Sequence, residues 1–340
     1  MKFFPNLCVK KMTNNTAGGE PRIGDAQHEV AAAGSGKGFF FAFLAYIMWG
    51  ILPLFWKFLV AVDSLHILSF RILFSLALVG IILAVQKNTA WLTVFKDPGK
   101  AAALMLAALF LCCNWGLYIW AVNSGHTIEA SLGYYINPLV SIMLGLIFFR
   151  ERLKPLQWAA VAVACAGVLI LTALSGTVPW VSLVLALTFG SYGLMKKKIV
   201  LSSLESLGAE TLASAPVGIA LLCFSFQTAP DGSSFPAFSG FGSTAYLADL
   251  PAHTLVFIAL CGLVTILPLY FFAKGVKLLP LSAIGFTQFI CPTMQFMLGL
   301  FVFGEAFSAR YFVAFSFIWT AGILYIVSLK PAKTGAGRSN

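Results

Sequence analysis

The sequence predicts an all-α polytopic membrane protein whose ten transmembrane helices form two inverted five-helix repeats. Three observations lead there. First, 59% of the 340 residues are hydrophobic and only 10% are charged, with a mean hydropathy of +0.90, whereas soluble domains carry roughly 25% charge. Second, nearly all of the 22 Lys and Arg residues fall in alternate connections between apolar runs, the bias that orients membrane proteins. Third, one stretch occurs twice. Ile136, Pro138, Met143, Leu144, Gly145, Leu146, Phe149 and Glu151 recur with the same spacing as Ile290, Pro292, Met297, Leu298, Gly299, Leu300, Phe303 and Glu305.

Taken in order, the apolar runs of about 20 residues that a bilayer crossing requires lie at 39–60, 66–85, 101–122, 128–149, 156–173, 178–195, 207–226, 254–273, 281–303 and 310–329. Residues 1–37, polar and glycine-rich, read as a disordered cytoplasmic extension. Residues 38–174 form the first repeat, 175–330 the second and 331–340 a cytoplasmic tail. With the N-terminus cytoplasmic, the same face receives Lys87, Lys96 and Lys100, then Arg150, Arg152 and Lys154, then Lys196, Lys197 and Lys198, then Lys274 and Lys277, and finally the tail. Arg310 alone falls in a connection on the other side. Both termini are therefore expected to be cytoplasmic. The repeat carries the fourth span onto the ninth, so each half has five spans. An odd number inverts one half relative to the other. The second copy agrees: Arg150-Glu151-Arg152 becomes Gly304-Glu305-Ala306, keeping the carboxylate and losing the cations. The long connection at 227–253, without Lys or Arg, reads as a mobile loop on the far side.

Each repeated segment predicts a helix broken near its start by proline, which removes a backbone donor, and ended about 20 Å on by a glutamate. Breaks at membrane depth are tolerated where they line a cavity or are buried in protein. Asn137, Gln288, Tyr134 and Tyr135 cluster at these breaks, which favours a substrate cavity at the interface of the halves over a packing kink. Trp49, Tyr46, Trp115, Tyr118 and Tyr192 fall inside spans as candidate cavity walls, and the remaining tryptophans suit lipid and interface contacts. Arg71 lies inside the second span, where an unpaired charge is unfavourable. It reads as an anion-binding or gating group paired with Glu129, with snorkelling as the plainer alternative. Glu151 and Glu305 oppose the helix dipole at their positions, so they are expected to cap a following span or to lock the halves together. They lie on opposite faces and so form no catalytic pair. No carboxylate is expected deep in a span. His66, His126 and His253 lie at non-cytoplasmic ends without metal-site spacing. The seven cysteines contain no CxxC pair and read as buried apolar residues. No catalytic residue, metal or cofactor is expected. The net charge of +10 is topogenic here, so no nucleic-acid partner is implied.

The stretch from Asn114-Trp115 through Trp120 and Asn123 to His126, then Glu129-Ala-Ser-Leu-Gly-Tyr-Tyr-Ile-Asn-Pro138, resembles the RarD proteins of the EamA group, in the drug/metabolite transporter superfamily. Trp49-Gly50, Arg71, Gly145, Glu151-Arg152, Trp158, Tyr192-Gly193, Lys197-Lys198, Gln288-Phe289-Ile290, Pro292-Thr293 and Gly304-Glu305 extend the resemblance over roughly residues 40–330. Cys291 stands where a glycine is expected before Pro292. The resemblance implies ten helices as two inverted EamA repeats, and secondary transport in a bacterial inner membrane. RarD proteins are often described as chloramphenicol-sensitive permeases. The expected function is secondary active transport of small organic metabolites or drugs by alternating access. Trp49, Tyr134, Asn137, Pro138, Gln288 and Pro292 would shape the substrate site. The alternative is a non-transporting sensor or assembly factor; an embedded enzyme would need a buried acid–base cluster. Partners would be a small-molecule substrate and membrane lipid, with a homodimer left open.

Overall fold

The computed structural model describes residues 23–123, 127–175, 180–228, 234–238, 240–302 and 309–329. Among the described residues there are ten helical spans. They are α1 (Ile23–Trp56), α2 (Ser64–Val85), α3 (Pro98–Asn123), α4 (Thr127–Phe149), α5 (Pro155–Ser175), α6 (Trp180–Lys198), α7 (Ser203–Leu221), α8 (Ala252–Leu278), the interrupted pair α9 (Leu281–Gln288) and α10 (Ile290–Phe301), and α11 (Ala309–Ser328). By length and apolar composition 7 stretches among the described residues are long enough to cross a bilayer, and Phe312–Ser328 adds a shorter one. The helices α6 and α7, 19 residues each with Lys196–Lys198 on one and Glu205 and Glu210 on the other, are not among them. The helix α1 begins at Ile23, within the extension expected to be disordered.

Local sequence explains the helix limits. Asp63 caps α2 by accepting from Leu65 N at 2.8 Å. Ser202 and Glu205 form a reciprocal capping box at the start of α7. Proline occupies the first position of α3 and of α5, where its missing N–H is not needed. At the far end of α4, Arg150 adopts a left-handed backbone (φ 51°). That turn folds the chain back so that Glu151 N donates to Gly145 O at 3.3 Å.

The packing follows an approximate two-fold axis. If α1 to α5 correspond to α6, α7, α8, α9/α10 and α11, every major helix contact has its mate. The contact of α4 with α6 matches that of α9/α10 with α1. The contact of α1 with α8 matches that of α6 with α3, and the contact of α2 with α8 matches that of α7 with α3. Three pairs lie across the axis itself: α2 with α7, α4 with α9, and α5 with α11. The two halves are therefore inverted repeats. Where α4 crosses α9 the backbones meet closely, and a Cβ on Gly285 would lie 2.6 Å from Pro138 O, the close approach that small residues allow in membrane bundles. Large apolar side chains, among them Phe40, Phe43, Ile147, Phe148, Ile323 and Ile326, face outward, where hydrocarbon replaces water.

Four expectations change here. Pro138 does not break its helix, since α4 runs unbroken from Thr127 to Phe149. One lost hydrogen bond is tolerated when neighbouring helices enclose it. Only the second copy is interrupted, for one residue at Phe289, just before Pro292, and Thr293 N resumes the helical bonding on Phe289 O at 3.3 Å. The seventh helix ends at Leu221, and Phe224–Thr228 pairs antiparallel with Ser234–Phe238 as strands β1 and β2, opposing Phe224 to Phe238. The connection that follows holds a 3-10 segment, Phe241–Asp249. There Tyr246 OH accepts from Asp63 N at 3.0 Å and lies 2.9 Å from His66 Nδ1. Part of the long connection is thus folded onto the α1–α2 turn, at the end of the bundle opposite Glu151.

The fourth change is a deep carboxylate. Glu210, about 10 Å into α7 at the helical rise, is 2% exposed and pairs with Lys196 Nζ at 2.6 Å, Lys196 being 0% exposed. Ser206, one turn earlier on α7, accepts from Lys196 at 2.8 Å and donates to Glu210 at 2.8 Å, while Tyr192 OH donates to Glu210 at 3.3 Å. Of the three consecutive lysines read as topogenic, Lys196 is inside the bundle.

Candidate functional site

Between the halves lies a cavity of about 120 Å³. Its walls come from one face of each of six spans. Helical spacing brings Trp49, Pro53 and Trp56 of α1 together, and likewise Asn114, Trp115 and Tyr118 of α3, and Gly133, Tyr134 and Asn137 of α4. Leu185 and Phe189 of α6 and Gln288, Pro292 and Gln295 of α9/α10 follow the same rule, and Arg71 of α2 completes the ring. Five of the six residues expected at a central site share this wall: Trp49, Tyr134, Asn137, Gln288 and Pro292. Pro138 does not. It sits behind Asn137 at the α4–α9 crossing, where its carbonyl meets Gly285.

Hydrogen bonds tie the wall across the axis. Ser141 of α4 donates to Gln288 Oε1 at 3.2 Å, and Tyr135 OH donates to Pro292 O at 3.3 Å. Gln295 Nε2 reaches Trp49 O at 3.4 Å. Asn114 Nδ2 bolts α3 to α6 through Leu185 O at 2.8 Å and Thr188 Oγ1 at 3.0 Å. Two buried polar atoms of the wall have no protein partner, Tyr46 OH and Asn137 Oδ1. Such atoms are unfavourable unless a ligand or water satisfies them.

Arg71 enters the cavity without a described carboxylate beside it. Its Nε donates to Thr265 Oγ1 of α8 at 3.1 Å, and its guanidinium lies over the Trp115 ring at 4.1 Å and the Trp56 ring at 5.2 Å. These are cation–π contacts. The side chain of Glu129, its expected partner, lies outside the described residues, as does Glu305. Trp56, expected in the interfacial belt, is instead part of the site.

Toward the Glu151 end an aromatic floor closes the cavity. Trp49 packs edge-on against Phe189 (5.7 Å between centroids), Tyr46 packs edge-on against Phe272 (6.1 Å), and Tyr192 stacks on Phe272 (5.8 Å). Tyr192, expected in the wall, therefore belongs to the floor. Beneath it Glu151 caps a span, though not the following one. That span belongs to the other half: Leu281 N and Ser282 N of α9 donate to its two carboxylate oxygens at 2.6 and 2.9 Å. A carboxylate at a helix N-terminus is favoured by the exposed N–H groups and the dipole. Lys197 of α6 stands 3.5 Å from Glu151 and donates to Leu279 O at 2.6 Å. Nearby, Lys154 donates to Ser328 O at 3.2 Å and Lys277 to Leu201 O, so lysines read only as topogenic also satisfy carbonyls at helix ends. A Cβ on Gly145 would lie 2.7 Å from Glu151 Oε2, which accounts for glycine there.

Comparison with known proteins adds the family. Residues 36–173 match the EamA-like transporter family. The chain is 41% identical to the uncharacterized transporter YojE of Bacillus subtilis over 86% of its own length and 94% of that protein. The chain belongs to the EamA-like transporter family. Protein RarD of Streptomyces exfoliatus is also 41% identical, over 84% of this chain and 87% of its own. A protein of known crystal structure shares the fold at a TM-score of 0.62 and 17% identity, covering 87% of this chain and all of its own. Family membership and the apolar helices together make this EamA protein a multi-pass membrane protein of the transporter class.

Proposed function

We propose that this protein is a secondary active transporter of small organic solutes, working by alternating access between its two inverted halves in a bacterial inner membrane. The observation that carries the reading is the cavity between the halves, walled at mid-depth and closed at one end by the aromatic floor and the Glu151 cap. Transport requires that floor and cap to open while the opposite end closes, as expected for rocking of inverted repeats about a fixed site. Arg150, Arg152, Lys154 and Lys198 at the Glu151 end support a cytoplasmic position for that end. On this reading the end closed by the floor and cap is the cytoplasmic one.

Purified protein in vesicles loaded with a bacterial metabolite extract tests this. Mass spectrometry is expected to find at least one small solute lost over minutes from vesicles with wild-type protein. The same solute stays in protein-free vesicles and in vesicles carrying Arg71→Ala with Gln288→Ala. Solutes that raise the thermal stability of the protein but never cross would favour a sensor and sink the transport reading.

A further inference from the structure

The cavity wall also specifies a substrate class, an inference that rests on the transport reading above. Arg71 is the one charged residue in the described lining. A guanidinium has five N–H donors, and among the described residues one of them is engaged, on Thr265. The ionisable groups facing it are Cys261, Tyr134 and Tyr118, which are neutral at physiological pH. The indole rings of Trp115 and Trp56 cover its faces and leave its N–H edge, the part that matches a carboxylate bidentately. A bolt between α2 and α8 would need only the bond to Thr265 and does not explain a half-buried cation inside a span and in contact with a cavity. Away from the Trp115 and Trp56 rings that cover Arg71, Tyr46, Trp49 and Phe189 add a further aromatic surface to the lining. At about 120 Å³ the space is near the roughly 150 Å³ that takes up benzene, one ring rather than two. The unpartnered Tyr46 OH and Asn137 Oδ1 lie in the same wall and mark it as a place where a ligand completes the hydrogen bonding.

We propose that the central cavity binds a small aromatic monocarboxylate, its carboxylate on the N–H edge of Arg71 and its ring on the Tyr46, Trp49 and Phe189 side. A single guanidinium balances one negative charge. A cation would be repelled, and a neutral ring would leave the guanidinium dehydrated without compensation.

The test uses four probes on the purified protein in detergent: phenylacetate, its neutral isostere phenylacetamide, the cation phenethylammonium, and acetate. Phenylacetate is expected to stabilise the protein against heat and to bind at least about tenfold more tightly than the other three. In Arg71→Gln, shown to be folded by gel filtration, that preference is expected to disappear, and Arg71→Lys is expected to recover only part of it. Equal binding of phenylacetamide and phenylacetate overturns the proposal, as does a lack of binding by phenylacetate at millimolar concentration. Flux of labelled phenylacetate into vesicles separates the two readings. Binding without flux refutes transport and leaves the ligand class standing, whereas flux confined to neutral solutes refutes the class and leaves transport standing.

Discussion

Replacing Glu210 with alanine is expected to destabilise the folded protein by about 3–5 kcal/mol, the usual effect of removing one member of a buried ion pair. Lys196 has no exposure to solvent and touches Ser206 and Glu210. Without Glu210 it must keep an unpaired charge or lose its proton, and both are unfavourable in a low-dielectric interior. Tyr192 would lose its acceptor at the same time, loosening the stack on Phe272 that forms the floor. The double variant Lys196→Met with Glu210→Leu removes both charges and should regain most of the loss, since buried pairs replaced by apolar residues are often neutral. Unfolding by SDS titration of the three proteins measures both effects. A Glu210→Ala protein as stable as wild type would show that water reaches Lys196.

Glu151→Ala is expected to shift the conformational equilibrium toward the state open at its end by roughly ten- to a hundredfold. That follows if the two charge-assisted bonds to Leu281 N and Ser282 N together contribute about 1.5–3 kcal/mol. The cap joins a residue of the first half to a helix of the second, so it stabilises only the arrangement in which these ends meet. Glu151→Gln keeps an acceptor but not the charge and should shift the equilibrium less. Spin labels on Arg152 and Lys198, both at that end, read the change by double electron–electron resonance as a new, longer distance in Glu151→Ala. An unchanged distance distribution would remove Glu151 from any latch and leave it a local helix cap.

Much of this was legible in the residues because hydrocarbon imposes simple rules. Apolar length located the spans, and the doubled Pro-to-Glu stretch pointed to the two halves whose packing repeats. The wall residues Trp49, Tyr134, Asn137, Gln288 and Pro292 were legible because polar and aromatic groups crowded the repeat. Trp56 and Gln295 carried a usable signal that went unread, since each stands two turns from a residue already suspected, Trp49 and Gln288 respectively. Other features depend on partners remote in sequence. Glu151 caps Leu281 and Ser282, a pairing that no local pattern contains. Lys196-Lys197-Lys198 looks like a topogenic run, and only the folded chain brings Lys196 to Glu210 across the α6–α7 connection. The two prolines read alike, yet α4 stays continuous while its counterpart is interrupted at Phe289, so the difference lies in the surroundings of each helix. The span expected to run to 226 ends at Leu221 because Phe224 and Phe226 suit a strand as well as a helix.

Alternating access about the central cavity is tested most directly by the native thiol of Cys291, which lines the cavity. With the other six cysteines replaced by alanine, a membrane-impermeant maleimide can be applied to right-side-out and inside-out vesicles. Alternating access predicts labelling of Cys291 from both faces, slower from the face carrying Glu151, with Glu151→Ala accelerating the slow side. Labelling from one face only, in wild type and in Glu151→Ala alike, would contradict it.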